Sequence, residues 1–285
     1  MSQDVSITFP ADAGIINVTS SPYNADKTGN VDATAAIQAA INATGENQIV
    51  YLPDGVYKIS NTLTTPRKNR VQIQGQSKNG TIIRLTDNNP EFAAGTAKKM
   101  LIIGEPNHGQ SFFNEVRNIT FNCGSGNPGT YALHFAANNM GSLRHVKITS
   151  DDGQGAIGLD LLASTNGPAF VYDVSIFGYD IGIKNWAFHS IILEKILVEN
   201  QNEVGVWNQG NGFTIRNLTS NNTVKAVENL QTMLLIDANL TGGSSVPAIV
   251  NNGTMYARNI SQSGYSMIIE NKKGNRCKCN RQFTR

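Results

Sequence analysis

Three carboxylates are the strongest candidates for chemistry in this sequence: the adjacent pair Asp151 and Asp152, and the more distant Glu199. Two carboxyl groups about 5–9 Å apart can act as general acid and as base or nucleophile across a glycosidic bond. We therefore take Glu199, Asp151 and Asp152 as candidate catalytic residues for glycoside hydrolysis. The alternative stays open that Asp151-Asp152-Gly153 is ordinary turn chemistry and that Glu199 is only a solvated side chain.

Polar and aromatic side chains near these carboxylates could bind a sugar. Aromatic rings offer an apolar face for stacking, and the polar groups offer hydrogen bonds to hydroxyl groups. The candidate substrate-binding residues are Lys147, Gln154, Phe177, Tyr179 and Asp180. No metal site is predicted from motifs, because Cys277-x-Cys279 lacks the further ligands that zinc requires.

Composition excludes several classes of protein. The chain has 285 residues, of which 15% are charged, and its formal net charge is +2. This balance offers no excess of Lys and Arg to neutralise phosphates, so no nucleic-acid partner is expected. The 34 Asn and 27 Gly disfavour a helical bundle. No apolar run approaches the roughly 18 residues of a membrane span, and no membrane partner is expected.

An internal repeat runs through two thirds of the chain. In one register an Asn recurs after a short apolar stretch, at Asn185, Asn208, Asn229, Asn251 and Asn271. A second register lies between these positions. Its copies begin at Asn118, Asn217, Asn239 and Asn259, with related copies at His145, Asp173 and Lys195. Each copy alternates apolar and polar residues over about six positions, which is typical of a half-buried strand.

Short strands that recur about every 22 residues without crossover helices predict an all-β parallel solenoid. Each coil would lie about 4.8 Å from the next, so that equivalent residues stack in columns with Val, Ile and Leu inside. We expect the first Asn column to adopt left-handed backbone at a corner and to hydrogen-bond between coils. An antiparallel sandwich explains the strand spacing, but not an Asn in phase in every coil.

The second register places one candidate carboxylate, Glu199, on an outward face. The outward positions are Thr120/Asn122, Lys147/Thr149, Ser175/Phe177, Leu197/Glu199 and Thr219/Asn221. Asp151 and Asp152 follow the strand two coils earlier, which is about 10 Å along the axis by the coil rise. That separation is loosely compatible with an inverting pair.

One early segment, at about residues 32–43, is predicted to be helical. Ile37 and Ile41 share one face, and Asp32 suits the N-cap. Because a solenoid has an open apolar end that needs covering, we expect a short N-terminal capping α-helix.

Four motifs near the N-terminus carry a family resemblance. They are D-x-T-A-A-I-Q-A-A-I from Asp32, Y-L-P-x-G-x-Y from Tyr51, x-I-x-G-x around Ile73 and T-I-I-R-L from Thr81. Their order resembles the start of the pectate lyase superfamily domain, although residues 22–29 depart from the usual F-G-A-x-G-D-G. The resemblance implies a single-stranded right-handed parallel β-helix that binds a polysaccharide or oligosaccharide along one sheet.

The resemblance leaves three functions open. A glycoside hydrolase is our first expectation, although only Asp151-Asp152 matches the four motifs of polygalacturonases. A pectate-lyase-type enzyme would bind Ca²⁺ through Asp151, Asp152 and Asp180 and would use a basic residue; otherwise no cofactor is expected. A non-catalytic, tailspike-like protein is the third. We expect a secreted or extracellular protein. Because residues 1–16 lack a signal peptide, either a signal was removed or the protein stays in the cytoplasm; the oligomeric state stays open.

The repeat also predicts the domain organisation. Residues 1–271 would form one β-helix domain. Residues 272–285 are basic and lack an apolar pattern, so we expect a disordered tail or a truncated end of a longer protein.

Overall fold

The computed structural model describes residues 5–65, 69–104, 111–272 and 277–279. They form a parallel β-solenoid of about 10 turns with about 23 residues per coil, which confirms the predicted fold class. Most of the predicted tail at 272–285 lies outside the described residues.

Two parallel sheets run the length of the solenoid. The larger, 14-stranded sheet consists of β1 (Ile16–Asn17), β2 (Thr28–Asp32), β3 (Gln48–Leu52), β4 (Gly55–Ile59), β6 (Val71–Gly75), β7 (Thr81–Leu85), β9 (Glu115–Asn122), β11 (Gly141–Thr149), β13 (Ala169–Phe177), β15 (Ile191–Glu199), β17 (Phe213–Asn222), β19 (Thr232–Gly242), β21 (Thr254–Gln262) and β23 (Cys277–Cys279). The 9-stranded sheet consists of β5 (Leu63–Thr64), β8 (Lys98–Ile103), β10 (Thr130–Phe135), β12 (Ile157–Leu161), β14 (Ile181–Asn185), β16 (Val204–Asn208), β18 (Lys225–Asn229), β20 (Ile249–Asn251) and β22 (Ile269–Asn271).

The one α-helix among the described residues, α1, spans Thr34–Ala43, and a 3-10 turn spans Pro90–Phe92. Ala33 rather than the predicted Asp32 is the N-cap residue of α1, although Asp32 Oδ1 accepts a hydrogen bond from the Thr34 backbone N–H (2.8 Å). Ile37 and Ile41 are buried in the core, and the capping role of the helix stays a prediction. No helix within the described ranges has the length and apolarity to cross a membrane.

The interior consists of stacked apolar columns. Val171, Leu193 and Ile215 pair across three successive coils and are fully buried. Burial of such a column stabilises each coil on its neighbour, because about 25 cal/mol is gained per Å² of apolar surface removed from water.

The predicted Asn column has one of its two expected properties. Asn185, Asn208 and Asn229 are fully buried, and their amides hydrogen-bond from coil to coil at 2.8 Å. The ladder continues to Asn251 and Asn271. The expectation of left-handed backbone was wrong for this column, since its members are not among the residues with positive φ.

Left-handed backbone occurs instead in the second register, where it bends each long strand into two arms. We call these residues the corner column: Asn118, His145, Asp173, Lys195, Asn217, Asp237 and Asn259, with φ from 54° to 59°. Asn239 was wrongly placed in this register, because Leu218 pairs with Ala238 and the equivalent of Asn217 is therefore Asp237.

Candidate functional site

A groove of about 510 Å³ follows the corner column on the outside of the solenoid. The two arms of each bent strand form its walls, so its side chains come from the corner position and from the outward positions next to it. The residues that matter for chemistry are Lys78, His145, Lys147, Asp173, Phe177 and Lys195.

Asp173 is the centre of this cluster. Its carboxyl oxygens lie 2.9 Å from His145 Nδ1, 3.1 Å from Lys195 Nζ and 3.4 Å from Lys78 Nζ. The side chain is only 8% exposed. Burial alone would raise its pKa, but hydrogen bonds from His145 and Lys195 and the charge of Lys78 outweigh burial and lower the pKa of Asp173.

The ionised Asp173 orients the His145 ring. When Nδ1 of a neutral His145 carries the proton, it donates a hydrogen bond to the Asp173 carboxylate, and the free lone pair is then on Nε2. The Tyr172 ring meets the imidazole edge to face, with 5.5 Å between ring centroids. His145 is thereby oriented by two neighbours and can act as a general base.

The groove carries more positive than negative charge. Lys78, Lys147 and Lys195 line it, and Asp173 is the single carboxylate among its described lining residues. Lys147 Nζ also lies 5.5 Å from the centre of the Phe177 ring, which places a cation beside an aromatic face. Such a groove attracts an anionic ligand.

The lowered pKa of Asp173 predicts a pH dependence of stability. A depressed carboxyl pKa contributes stability above the ordinary aspartate value of about 3.9, and the contribution is lost as the pH falls through the lower, folded-state pKa. We expect the free energy of unfolding of Asp173→Asn to fall less steeply than that of the wild type below about pH 4. Urea denaturation between pH 2 and 7 measures this, with the exposed Asp12→Asn as control; identical acid slopes for all three proteins would contradict it.

Two of the eight predicted site residues, Lys147 and Phe177, line the groove. Glu199 lies at the end of β15, directly beside Phe177 in the strand pairing. It is therefore on the same outer face but is not part of the groove lining.

Asp151 and Asp152 do not line the groove either. Asp151 accepts hydrogen bonds from Arg84 (2.8 Å) and Asn122 (2.7 Å), which outweigh partial burial and lower its pKa. Asp152 accepts hydrogen bonds from the backbone N–H groups of Gly126 and Gln154. Partial burial would raise its pKa, but these hydrogen bonds lower it. Neither has the raised pKa of a general acid, and both stabilise turns.

The prediction that Tyr179 binds a sugar was wrong. It is fully buried, and its hydroxyl donates to the Thr149 carbonyl (3.0 Å), so it offers no face to a ligand. Asp180 accepts a hydrogen bond from Asn202 (3.1 Å), and Gln154 is exposed in the turn after Asp152. Neither side chain reaches the groove.

Sequence reasoning missed the residues at the centre of the groove. His145, Asp173 and Lys195 were seen only as irregular copies of the Asn register. The available signal was that three consecutive coils replace Asn with ionisable residues at a left-handed position, where Lys is disfavoured. The left-handed backbone of Lys195 is one basis for a hypothesis of function at this position.

Within residues 5–65, 69–104 and 111–272, no three His, Cys, Asp or Glu side chains come together as a group that could hold a metal ion. Binding of Ca²⁺ through Asp151, Asp152 and Asp180, as expected for a pectate-lyase-type enzyme, stays a prediction.

Comparisons with known proteins agree with this architecture. Residues 15–230 match the family described as rhamnogalacturonase A/epimerase, pectate lyase-like. A search of curated protein sequences finds no match.

Several solved structures share the fold at low sequence identity. ORF18 of Geobacillus virus E2 (TM-score 0.61, 13% identity) matches over 90% of this chain and 60% of its own. The A-module of an Azotobacter vinelandii mannuronan C-5 epimerase (0.61, 16%) matches over 90% and 75%. Carrot pectin methylesterase (0.59, 12%) matches over 93% and 90%. The chain thus spans 60% of the viral protein's length, and these likenesses concern the fold.

Proposed function

This chain belongs to the rhamnogalacturonase A/epimerase, pectate lyase-like family, as its sequence motifs predicted, and we propose that it is a lyase for a uronate-containing polysaccharide. The observation that carries the proposal is that three lysines line the groove that holds the His145–Asp173 pair. Such polymers are extracellular, so the proposal places the protein outside the cell.

The proposed reaction begins at the sugar carboxylate. Lys195, Lys78 or Lys147 neutralises that carboxylate and makes the C5 proton more acidic, because the charge that develops next to it is stabilised. His145 Nε2 removes the C5 proton. The C5–H electrons form a C4=C5 double bond, the C4–O bond breaks, and the leaving oxygen takes a proton from water.

Hydrolysis, our first expectation from sequence, has weaker support in the groove. A glycosidase needs two carboxyl groups across the scissile bond. Asp173 is already engaged by three basic groups. Glu199, beside Phe177, keeps hydrolysis as the second candidate function.

The decisive experiment incubates the protein with a panel of uronans and neutral β-glucans, with and without EDTA. We expect ultraviolet-absorbing unsaturated products from a uronan only, unaffected by EDTA, because lysines rather than Ca²⁺ neutralise the carboxylate. New reducing ends without unsaturation would indicate a hydrolase. Products that require Ca²⁺ would indicate the pectate-lyase-type mechanism, and glycan binding without products would indicate a non-catalytic protein.

A further inference from the structure

The groove is closed at the end nearest the N-terminus. Strand β6 pairs with the first arm of β9 and β7 pairs with its second arm. Residues 76–80 therefore occupy the place that a single corner residue has in later coils, and we call these five residues the wall. Gly75, just before them, lies so close to the next coil that a Cβ would be 2.0 Å from the Asn118 carbonyl oxygen.

Lys78 extends from this wall over the groove. Its carbonyl accepts a hydrogen bond from Thr120 Oγ1 (2.6 Å) in the next coil, and its Nζ donates to the Asp173 carbonyl (3.2 Å) three coils further on. The wall is held from behind by Asp54, which accepts hydrogen bonds from the Ser77 backbone N–H, the Ser77 hydroxyl and the Thr81 hydroxyl. The wall is thus a fixed part of the fold.

The opposite end of the groove is open. Along the axis the corner column passes from Asn118, which is 3% exposed, to Asn217, which is exposed. Beyond Asn217 a second depression of about 320 Å³ continues past Asp237 to Asn259. A chain that enters from this end meets the wall after passing the Asp173 cluster.

The closed end holds a polar group with no partner. Asn118 lines the groove, and its Nδ2 is buried without a hydrogen-bond partner among the described residues. A buried amide that is left unsatisfied costs about 1–3 kcal/mol, so a ligand oxygen at this point would be favoured.

We propose that the closed end binds the terminal unit of the polysaccharide, with Asn118 as the specificity-determining residue. The protein therefore acts at chain ends rather than at internal bonds. This inference takes its substrate class from the proposed function, but its test measures binding and does not require catalysis.

Binding stoichiometry tests the closed end without catalysis. The His145→Gln variant is titrated by calorimetry with uronan fractions of increasing length. We expect one protein bound per chain at every length, whereas a groove that accepts internal segments would bind in proportion to length and would overturn the inference. If the wild type forms unsaturated product but His145→Gln binds uronan in proportion to its length, only the inference of a closed end is overturned. If no uronan binds, both the closed end and the proposed function are overturned.

Matched glycine variants test the role of Asn118. Asn118→Gly and Asn217→Gly each remove one amide and keep a residue that tolerates the left-handed corner. We expect Asn118→Gly to raise the dissociation constant for a short oligouronate about tenfold, equivalent to about 1.4 kcal/mol, and Asn217→Gly to raise it less than threefold. Equal effects would mean that the closed end holds no special subsite.

Discussion

Replacing His145 with glutamine is expected to lower kcat on a uronate polymer by about 10²–10⁴-fold, the usual contribution of a general base. Glutamine keeps an amide that can donate to Asp173, so the cluster retains a partner for its central carboxylate, but it has no basic nitrogen. The loss should fall on kcat more than on KM, because the lysines still bind the substrate carboxylate. Initial rates of unsaturated product measure both constants.

His189→Gln provides the control for this substitution. His189 is exposed in the turn between β14 and β15 and does not line the groove. We expect its kcat and its melting temperature to equal those of the wild type. If His145→Gln retains wild-type kcat while unsaturated product still forms, another group removes the proton and the assignment of His145 is wrong.

The solenoid could be predicted because its signal repeats. Each coil buries the same column positions, so the same residue type recurs at equivalent places, as Asn185, Asn208 and Asn229 do. The recurrence makes the column recognisable from sequence. The backbone conformation of the residues in a column could not be predicted from the repeat. Asn suits both a left-handed corner and a stacked amide ladder, and only the strand pairing separates the two.

The candidate site was harder to predict because it departs from the repeat. Lys78 and Asp173 are 95 positions apart, and their contact depends on residues 76–80, which interrupt the pattern. Asp151 and Asp152 were predicted to be catalytic because they form an acidic pair. In the structure their oxygens accept hydrogen bonds from Arg84, Gly126 and other neighbours in the turns. Residue type alone does not distinguish a carboxylate that is free for chemistry from one that holds a loop.

The amide ladder leads to the largest expected effect on stability. Asn208 is fully buried in the middle of the ladder. Its amide donates to Asn229 Oδ1 (2.8 Å), and its carbonyl accepts from Asn185 Nδ2 (2.8 Å) and from the Gly210 backbone N–H (3.1 Å). Asn208→Ala would leave these partners buried without hydrogen bonds, at about 1–3 kcal/mol for each unsatisfied group. We expect the free energy of unfolding to fall by about 3–5 kcal/mol.

Asn221→Ala is the matched control, because Asn221 lies in neighbouring β17 but is exposed. Urea denaturation should show a change within about 0.5 kcal/mol for this variant, as for most surface substitutions. If the two variants lose equal stability, apolar stacking alone holds the coils together and the ladder serves only to set their register. If only Asn208→Ala is destabilised, each coil depends on amide contacts with both neighbours. Loss of one Asn should then weaken the solenoid on both sides of that coil.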